Sequence, residues 1–263
     1  MQITSASNER IKHARRVRDG REPGLIFIEG LRLAEEALRS KLPLEAAFLI
    51  ERDEPRHQAL RRDLEQRQVA CFETTPELLA TLSDTVQTQG VILIASRPPF
   101  SLDDLFGRSG SLFLALDRIQ DPGNMGTLIR TAEAAGVSGI IALGGSVDVF
   151  SPKVLRSSMG SAFRLPVITH VEPATLIAAR DMYSLQIVAA AGEGEVDYTD
   201  YDWSQPTLLL LGNEGNGVDE KLMSHCDQRL KIPMTNEVES LNVATAGAVM
   251  LFEAARQRRS AGL

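Results

Sequence analysis

The residues that could carry chemistry fall at three places in the chain, and none of them is a histidine or a cysteine. His13, His57, His170 and His225 are scattered without a motif, and Cys71 and Cys226 stand far apart with no CxxC or Cys/His cluster. That pattern disfavours a zinc site and a disulfide framework, so no metal is expected and the two cysteines read as buried thiols. The first place is "LDRIQDPGNMGTLIRTAEAAG", residues 116–136. Pro122 and Gly123 make a turn, Asn124 suits a helix N-cap, and Gly136 suits the position just past the helix end. Gly126 and Arg130 stand four apart and share a face, which leaves room beside the guanidinium. Such an arginine near a helix N-terminus suits a phosphate or a polarised hydroxyl, and a plain surface arginine is the bland alternative.

The second place is "LLLLGNEGNGVDEKL", residues 208–222, which reads as a buried strand, a glycine turn and a helix start. A phosphate-binding loop would follow its glycines with Lys-Ser/Thr, whereas here Glu214 would repel a phosphate, and Gly212, Gly215 and Gly217 lack GxGxxG spacing. The turn suits a nucleoside without a phosphate tail, or a group with positive charge, if it is more than a turn needing positive φ. The third place is "LKIPMTNEVESLNVATAGAVMLFEAARQRR", residues 230–259. A strand ends at Pro233, an acidic polar loop follows, and Ser240 or Asn242 caps a long helix. Val243, Gly247, Met250 and Ala254 make one stripe of that helix, and Ala244, Ala246 and Ala248 keep its first half slim. A slim helix can lie tight against another backbone or simply pack in a core.

Short apolar runs alternate with amphipathic stretches, the pattern of an α/β chain. Strands are expected near 25–28, 46–50, 69–72 and 91–95, with helices at 8–19, 31–40, 55–68 and 76–82. The stretch "SRPPFSLDDLFGRSG", residues 96–110, has paired prolines and no strong periodicity. It marks a linker (97–110) between a small N-terminal domain (1–96) and a larger one (111–263). Strands near 111–117, 139–143, 165–168, 186–190, 207–211 and 229–232 are apolar on both faces, as in a parallel sheet covered by helices. Ligands of such sheets bind at strand C-termini, where the three places fall.

The 263 residues, 43% of them hydrophobic, suffice for real cores, and no apolar run approaches the roughly 20 residues of a membrane span. A cytoplasmic address is the default. The net charge of −7 argues against a nucleic-acid partner, but residues 1–21 carry a local +4 through Arg10, Lys12, Arg15, Arg16, Arg18 and Arg21. That segment permits a phosphate contact, or is a solvated helix face. In "SPKVLRSSMGS", Ser151 and Pro152 begin a helix from which Lys153 and Arg156 project on one side.

The three places together resemble the three motifs of the SpoU/TrmH family of SPOUT-class RNA 2′-O-ribose methyltransferases. The first has the form N-x-G-x-x-x-R-T-A, met by Asn124, Gly126, Arg130, Thr131 and Ala132; the second is "LGNEGNGV"; the third is "IPM" followed by "ESLNVATA", with Glu239, Ser240, Leu241 and Asn242 in place. "ITSASNERIK" and "FIEGLRLAEEAL" are similar to the family's N-terminal substrate-binding domain, a small α/β unit like ribosomal protein L30e. The resemblance implies a trefoil-knotted α/β methyltransferase domain with a parallel sheet, S-adenosylmethionine as cofactor, and a homodimer. It implies that backbone at Leu211, Gly212, Ile232, Met234 and Leu241, with Asn213 and Gly217, holds the cofactor, and that Arg10, Lys12, Arg15, Lys153 and Arg156 contact RNA. Arg130 matches the arginine that activates the ribose hydroxyl; a guanidinium of pKa roughly 12.5 or more is a poor base, so orienting the hydroxyl and a phosphate is the expected role, with phosphate or water taking the proton. Glu214 either holds Arg130 by an ion pair or caps the helix near Asp219, and Asn124, Ser240 and Asn242 order the ribose and the methionine end of the cofactor. The expected substrate is 23S rRNA; the alternatives are tRNA, or a non-catalytic RNA-binding, ribosome-associated protein with the same fold. A dinucleotide-dependent oxidoreductase is disfavoured by the glycine spacing.

Overall fold

The computed structural model describes residues 2–40, 42–85, 87–107, 112–235 and 240–263. The chain divides into two compact units, Met1–Pro99 with Phe150–Arg164, and Phe100–Val149 with Leu165–Leu263.

The first unit contains β1 (Gln2–Ile3), α1 (Glu9–Arg18), β2 (Leu25–Glu29), α2 (Leu31–Ser40), β3 (Leu44–Leu49), α3 (Pro55–Gln66), β4 (Ala70–Thr74), α4 (Pro76–Ala80) and β5 (Val91–Ser96). Its sheet runs β1-β4-β3-β5-β2, parallel from β1 to β3 and antiparallel from β3 to β2. Ile11, Ala14 and Val17 recur every three residues along α1, so one stripe of that otherwise charged helix packs on Phe27, Phe48, Phe72 and Ile94 of the sheet. The helix starts where Asn8 accepts the Arg10 N–H at 2.9 Å, a local signal legible in the sequence.

The chain continues with α5 (Leu102–Phe106), β6 (Leu112–Leu116), α6 (Pro122–Ala134), β7 (Gly139–Leu143), α7 (Pro152–Ser158), β8 (Val167–Val171), α8 (Pro173–Tyr183), β9 (Gln186–Ala190), β10 (Val196–Asp197), β11 (Thr207–Leu211), α9 (Glu220–Met223), β12 (Gln228–Lys231) and α10 (Val243–Ser260). Of these, α7 belongs to the first unit and packs on β2. The second unit holds a seven-stranded sheet in the order β10-β12-β9-β11-β6-β7-β8, parallel throughout. Every residue of β6, β7 and β11 is buried, as a sheet covered on both faces requires.

Three local expectations change. The 97–110 stretch, read as a linker, contains α5: Ser101 accepts the Asp104 N–H at 3.1 Å, Asp104 accepts the Ser101 N–H at 2.9 Å, and Leu105 and Phe106 enter the second unit's core. One and a half turns are too few to display periodicity. Strand β8 begins after Pro166, which has no N–H to give a ladder, and β12 stops at Lys231, before Ile232. Cys71 and Cys226 are free and only half-buried.

Candidate functional site

The site is assembled at the C-terminal edge of the second unit's sheet, from the ends of β6, β11 and β12. Helix α6 starts three residues earlier than the sequence suggests. Asp121, not Asn124, is the N-cap: its carboxylate accepts the Asn124 N–H at 2.8 Å, and Pro122 fills the first turn, where its missing N–H costs nothing. The Asn124 side chain is thereby released from capping. Its Nδ2 donates to Glu214 Oε1 at 2.8 Å, and its Oδ1 accepts from Asn242 Nδ2 at 3.0 Å. Asn242 is the cap of α10, its Oδ1 accepting the N–H groups of Ala244 and Thr245 at 2.9 and 3.3 Å. One chain of amides, Asn242 to Asn124 to Glu214, therefore ties the three sequence motifs together. Ser240 is exposed and makes no hydrogen bond among the described residues, and Glu239 lies outside them.

Arg130 lies on α6, exposed, and has no ion pair or hydrogen bond among the described residues. The expected Arg130–Glu214 ion pair is absent there; Glu214 Oε1 accepts from Asn124 instead. Nor does Glu214 cap the next helix: Asp219 does, accepting the Lys221 N–H at 3.0 Å.

The glycine turn closes on itself. Asn213 and Gly217 exchange both main-chain hydrogen bonds, at 3.0 and 2.9 Å, and the Asn213 Oδ1 accepts the N–H groups of Gly215 and Asn216 at 2.9 and 3.2 Å. A side chain at 212 would lie 2.2 Å from the Gly217 carbonyl carbon, and Gly217 takes φ 65°, so these two glycines are demanded by the ring. Asn213 and Gly217 are thus engaged within the loop, and the Leu211 carbonyl accepts the Asp117 N–H at 2.8 Å. The main-chain groups of Gly212, Ile232, Met234 and Leu241, by contrast, make no hydrogen bond among the described residues. They are donors and acceptors available to a ligand.

The slim helix α10 does lie tight. A Cβ at Gly247 would come within 2.5 Å of Leu128 on α6 and 2.7 Å of Leu211 on β11.

Two residues that the sequence reading passed over complete the edge. Asp117, 3% exposed, receives Arg118 in a forked ion pair with a shortest N–O distance of 3.0 Å, and its Oδ2 also accepts the Asp219 N–H at 2.8 Å. The hydrogen bonds that Arg118 donates to Asp117 raise its guanidinium above its ordinary value. A positive φ at a non-glycine residue gives no sign in the sequence, and an aspartate after a strand looks like any loop residue.

The basic residues of the first unit are less free than their number implies. The guanidinium of Arg10 stacks over Phe72 at 4.3 Å, Lys12 pairs with Glu9 at 2.8 Å, and Arg15 reaches Thr81 at 3.4 Å. Arg16 binds Glu22 at 2.9 Å and Arg18 donates to the carbonyls of Thr81 and Leu82 at the end of α4. On α7, Arg156 binds Asp84 at 2.9 Å and stands 4.0 Å from the buried Glu29, so it does not share Lys153's exposure.

The geometry agrees with what the chain is similar to. The model of the SpoU rRNA Methylase family matches residues 111–252, and that of the MRM3-like substrate binding domain matches residues 8–93. The 23S rRNA (guanosine(2553)-2′-O)-methyltransferase RlmP of Bacillus subtilis is 32% identical over 95% of this chain and 98% of its own. Among solved structures, an AdoMet-bound rRNA methyltransferase from Sinorhizobium meliloti matches with a TM-score of 0.87 at 32% identity, covering 97% of each chain. The SpoU methyltransferase AviRb from Streptomyces viridochromogenes, in complex with AdoMet, matches with a TM-score of 0.86 at 29% identity, covering 96% of this chain and 100% of its own.

Proposed function

Because the chain belongs to the SpoU rRNA methylase family, we propose that it transfers a methyl group from S-adenosylmethionine to a ribose 2′-hydroxyl of 23S ribosomal RNA. The observation that carries this reading is the Asn242–Asn124–Glu214 chain, which joins all three motifs, with Arg130 on the same helix as Asn124 and unpaired among the described residues.

The residues present fit the cofactor. The open main-chain groups of Gly212, Ile232, Met234 and Leu241 suit an adenosine edge, and the Glu214 carboxylate suits a positive centre. Leu211, Asn213 and Gly217 build the turn that presents Gly212. When bound, S-adenosylmethionine supplies an electrophilic methyl group on positively charged sulfur. Arg130 holds the ribose hydroxyl and an adjacent RNA phosphate, lowering the hydroxyl pKa, and the proton leaves to that phosphate or to water. Asn124 and Asn242, fixed to each other, hold the ribose and the methionine end in register, with Ser240 beside them.

The first unit is the RNA-holding part, with Lys153 and the outer faces of Arg10, Lys12 and Arg15 offered to the backbone and Arg156 setting α7 in place. As in the family's other members, the protein works in the cytoplasm as a homodimer. The C-terminal domain is the trefoil-knotted one of its family, a reading supported by the insertion of β12 between β9 and β10.

The test is calorimetry with S-adenosylmethionine against NAD, followed by mapping of 2′-O-methyl sites in ribosomal RNA from cells with and without the gene. Binding of the first ligand alone and the loss of one 23S site are expected. No change in the methylation map, or a site lost from tRNA instead, would remove the assignment.

A further inference from the structure

Among the described residues Asp117 and Arg118 make no hydrogen bond or ion pair with Arg130 or the amide chain, yet both arms of the glycine turn are fastened to them. We propose that they are the positioning pair of the donor site, holding the turn in the shape that presents the Gly212 backbone to S-adenosylmethionine; this rests on the reading of that turn as the cofactor cradle.

The fastening is double on each side. On the entering arm the Asp117 N–H donates to the Leu211 carbonyl at 2.8 Å, and the Arg118 carbonyl accepts from Asn213 Nδ2 at 3.1 Å. On the leaving arm the Arg118 guanidinium donates to the Gly217 carbonyl at 3.4 Å, and the Asp219 N–H donates to Asp117 Oδ2 at 2.8 Å. The two residues are held to each other by the forked ion pair, so the arms cannot separate without breaking a charge-assisted bond.

Two features mark this arrangement as more than surface pairing. A carboxylate 3% exposed is costly unless its oxygens are satisfied, and here both are, by the guanidinium and by the Asp219 N–H. Arg118 also takes φ 55°, which is strained for a residue with a side chain and which a glycine would adopt freely. That conformation permits the same residue to fold its guanidinium back over Asp117 and aim its carbonyl at Asn213. Gly145 leaves the room, since a Cβ there would lie 3.1 Å from Arg118 Cγ. The two side chains take no part in the strand ladders of β6, so loosening the pair should free the turn while the fold stands.

The test compares Asp117→Asn, Arg118→Gln, Arg118→Gly and the double variant Asp117→Asn/Arg118→Gln with the wild-type full chain. Calorimetry with S-adenosylmethionine, KM for the cofactor, kcat at saturating cofactor, and melting temperature are measured. Each single variant should weaken cofactor binding about tenfold, the loss expected for one charge-assisted hydrogen bond. KM should rise in parallel, kcat should stay within about twofold, and the double variant should be no worse than the worse single, as for partners acting as a unit. Arg118→Gly should bind as weakly as Arg118→Gln although its backbone strain is relieved. The inference is overturned if folded variants bind the cofactor like wild type, if the effects add, or if all single variants fail to fold, since the role is then structural alone. Failure of wild type to bind S-adenosylmethionine overturns the cofactor reading itself. Binding that survives Asp117→Asn but is abolished by Gly212→Ala overturns only the positioning pair.

Discussion

The cations of α1 and the single cation of α6 live in opposite surroundings. Along α1 nearly every guanidinium or ammonium has an intramolecular partner: a ring for Arg10, carboxylates for Lys12 and Arg16, carbonyls for Arg18. On α6, Arg130 has none among the described residues, and the acid of the second motif, Glu214, accepts from Asn124 rather than from it. The lesson is that clustering of charge says little about which charge is available to a ligand. One arginine without an intramolecular partner is more informative than several in a row that have them.

The contrast can be broken most forcefully at Arg130. Replacing it with Lys should lower kcat by about 10²–10³-fold, the effect of losing one transition-state contact, while the affinity for S-adenosylmethionine measured by calorimetry stays within about twofold. A wild-type rate in that variant would show that the free guanidinium has no part in the reaction.

A smaller effect is expected from Asn124→Ala, which frees both Glu214 and Asn242. Single-turnover methyl transfer should slow by about 10–100-fold through misplacement of the reacting groups. A wild-type single-turnover rate in Asn124→Ala would show that the amide chain has no part in aligning the reacting groups.

In the first unit the contrast is sharpened by pairing one engaged and one exposed cation. Arg18→Ala removes the two carbonyl contacts at the end of α4 and should cost about 1 kcal/mol of stability in urea unfolding, leaving the salt dependence of RNA binding unchanged. Lys153→Ala should do the reverse, with stability unaltered and the log–log salt slope reduced by about 1. Equal salt slopes for the two variants would erase the distinction.

The mildest test concerns the thiols. Burial pushes the Cys226 thiol up to about 11 and raises that of Cys71 as well. At pH 8 only about one Cys226 in a thousand is then thiolate, so iodoacetamide should label it at least ~100-fold more slowly than a free thiol, and labelling should accelerate as pH approaches 11. Rapid labelling at pH 8 would contradict the burial.

What could be read from the residues alone follows from how local each signal is. The glycine turn, the Asn8 start of α1 and the Gly136 end of α6 depend on a few neighbouring residues, and the structure places Gly136 at φ 79° just past the helix as its type suggests. The same is true of Asn242 as a cap and of the slim face of α10, where Gly247 meets Leu128 and Leu211. Asn124 was misjudged because Asp121, Pro122 and Asn124 all carry helix-start signals, and which one caps depends on where the turn leaves β6. The partners of Glu214 and of the α1 arginines were hidden for a different reason: they lie far away in sequence, as with Asn124 and Glu214 or Arg18 and Thr81, and pairing across such distances leaves no periodicity. Asp117 and Arg118 combine both difficulties, since the contacts are nonlocal and the positive φ belongs to an arginine.

The place of β12 carries a consequence for how the molecule forms. β9 and β10 follow each other in the chain, yet β12 separates them in the sheet, so their short connection must keep open a gap one strand wide until a segment some thirty residues later fills it. Such a nonlocal insertion slows folding far more than it alters equilibrium stability. Weakening β12, for example by Leu230→Ala at its buried residue, should therefore lengthen the slowest refolding phase, and Ile232 and Met234, which follow it directly, should gain their ligand-ready arrangement only in that phase.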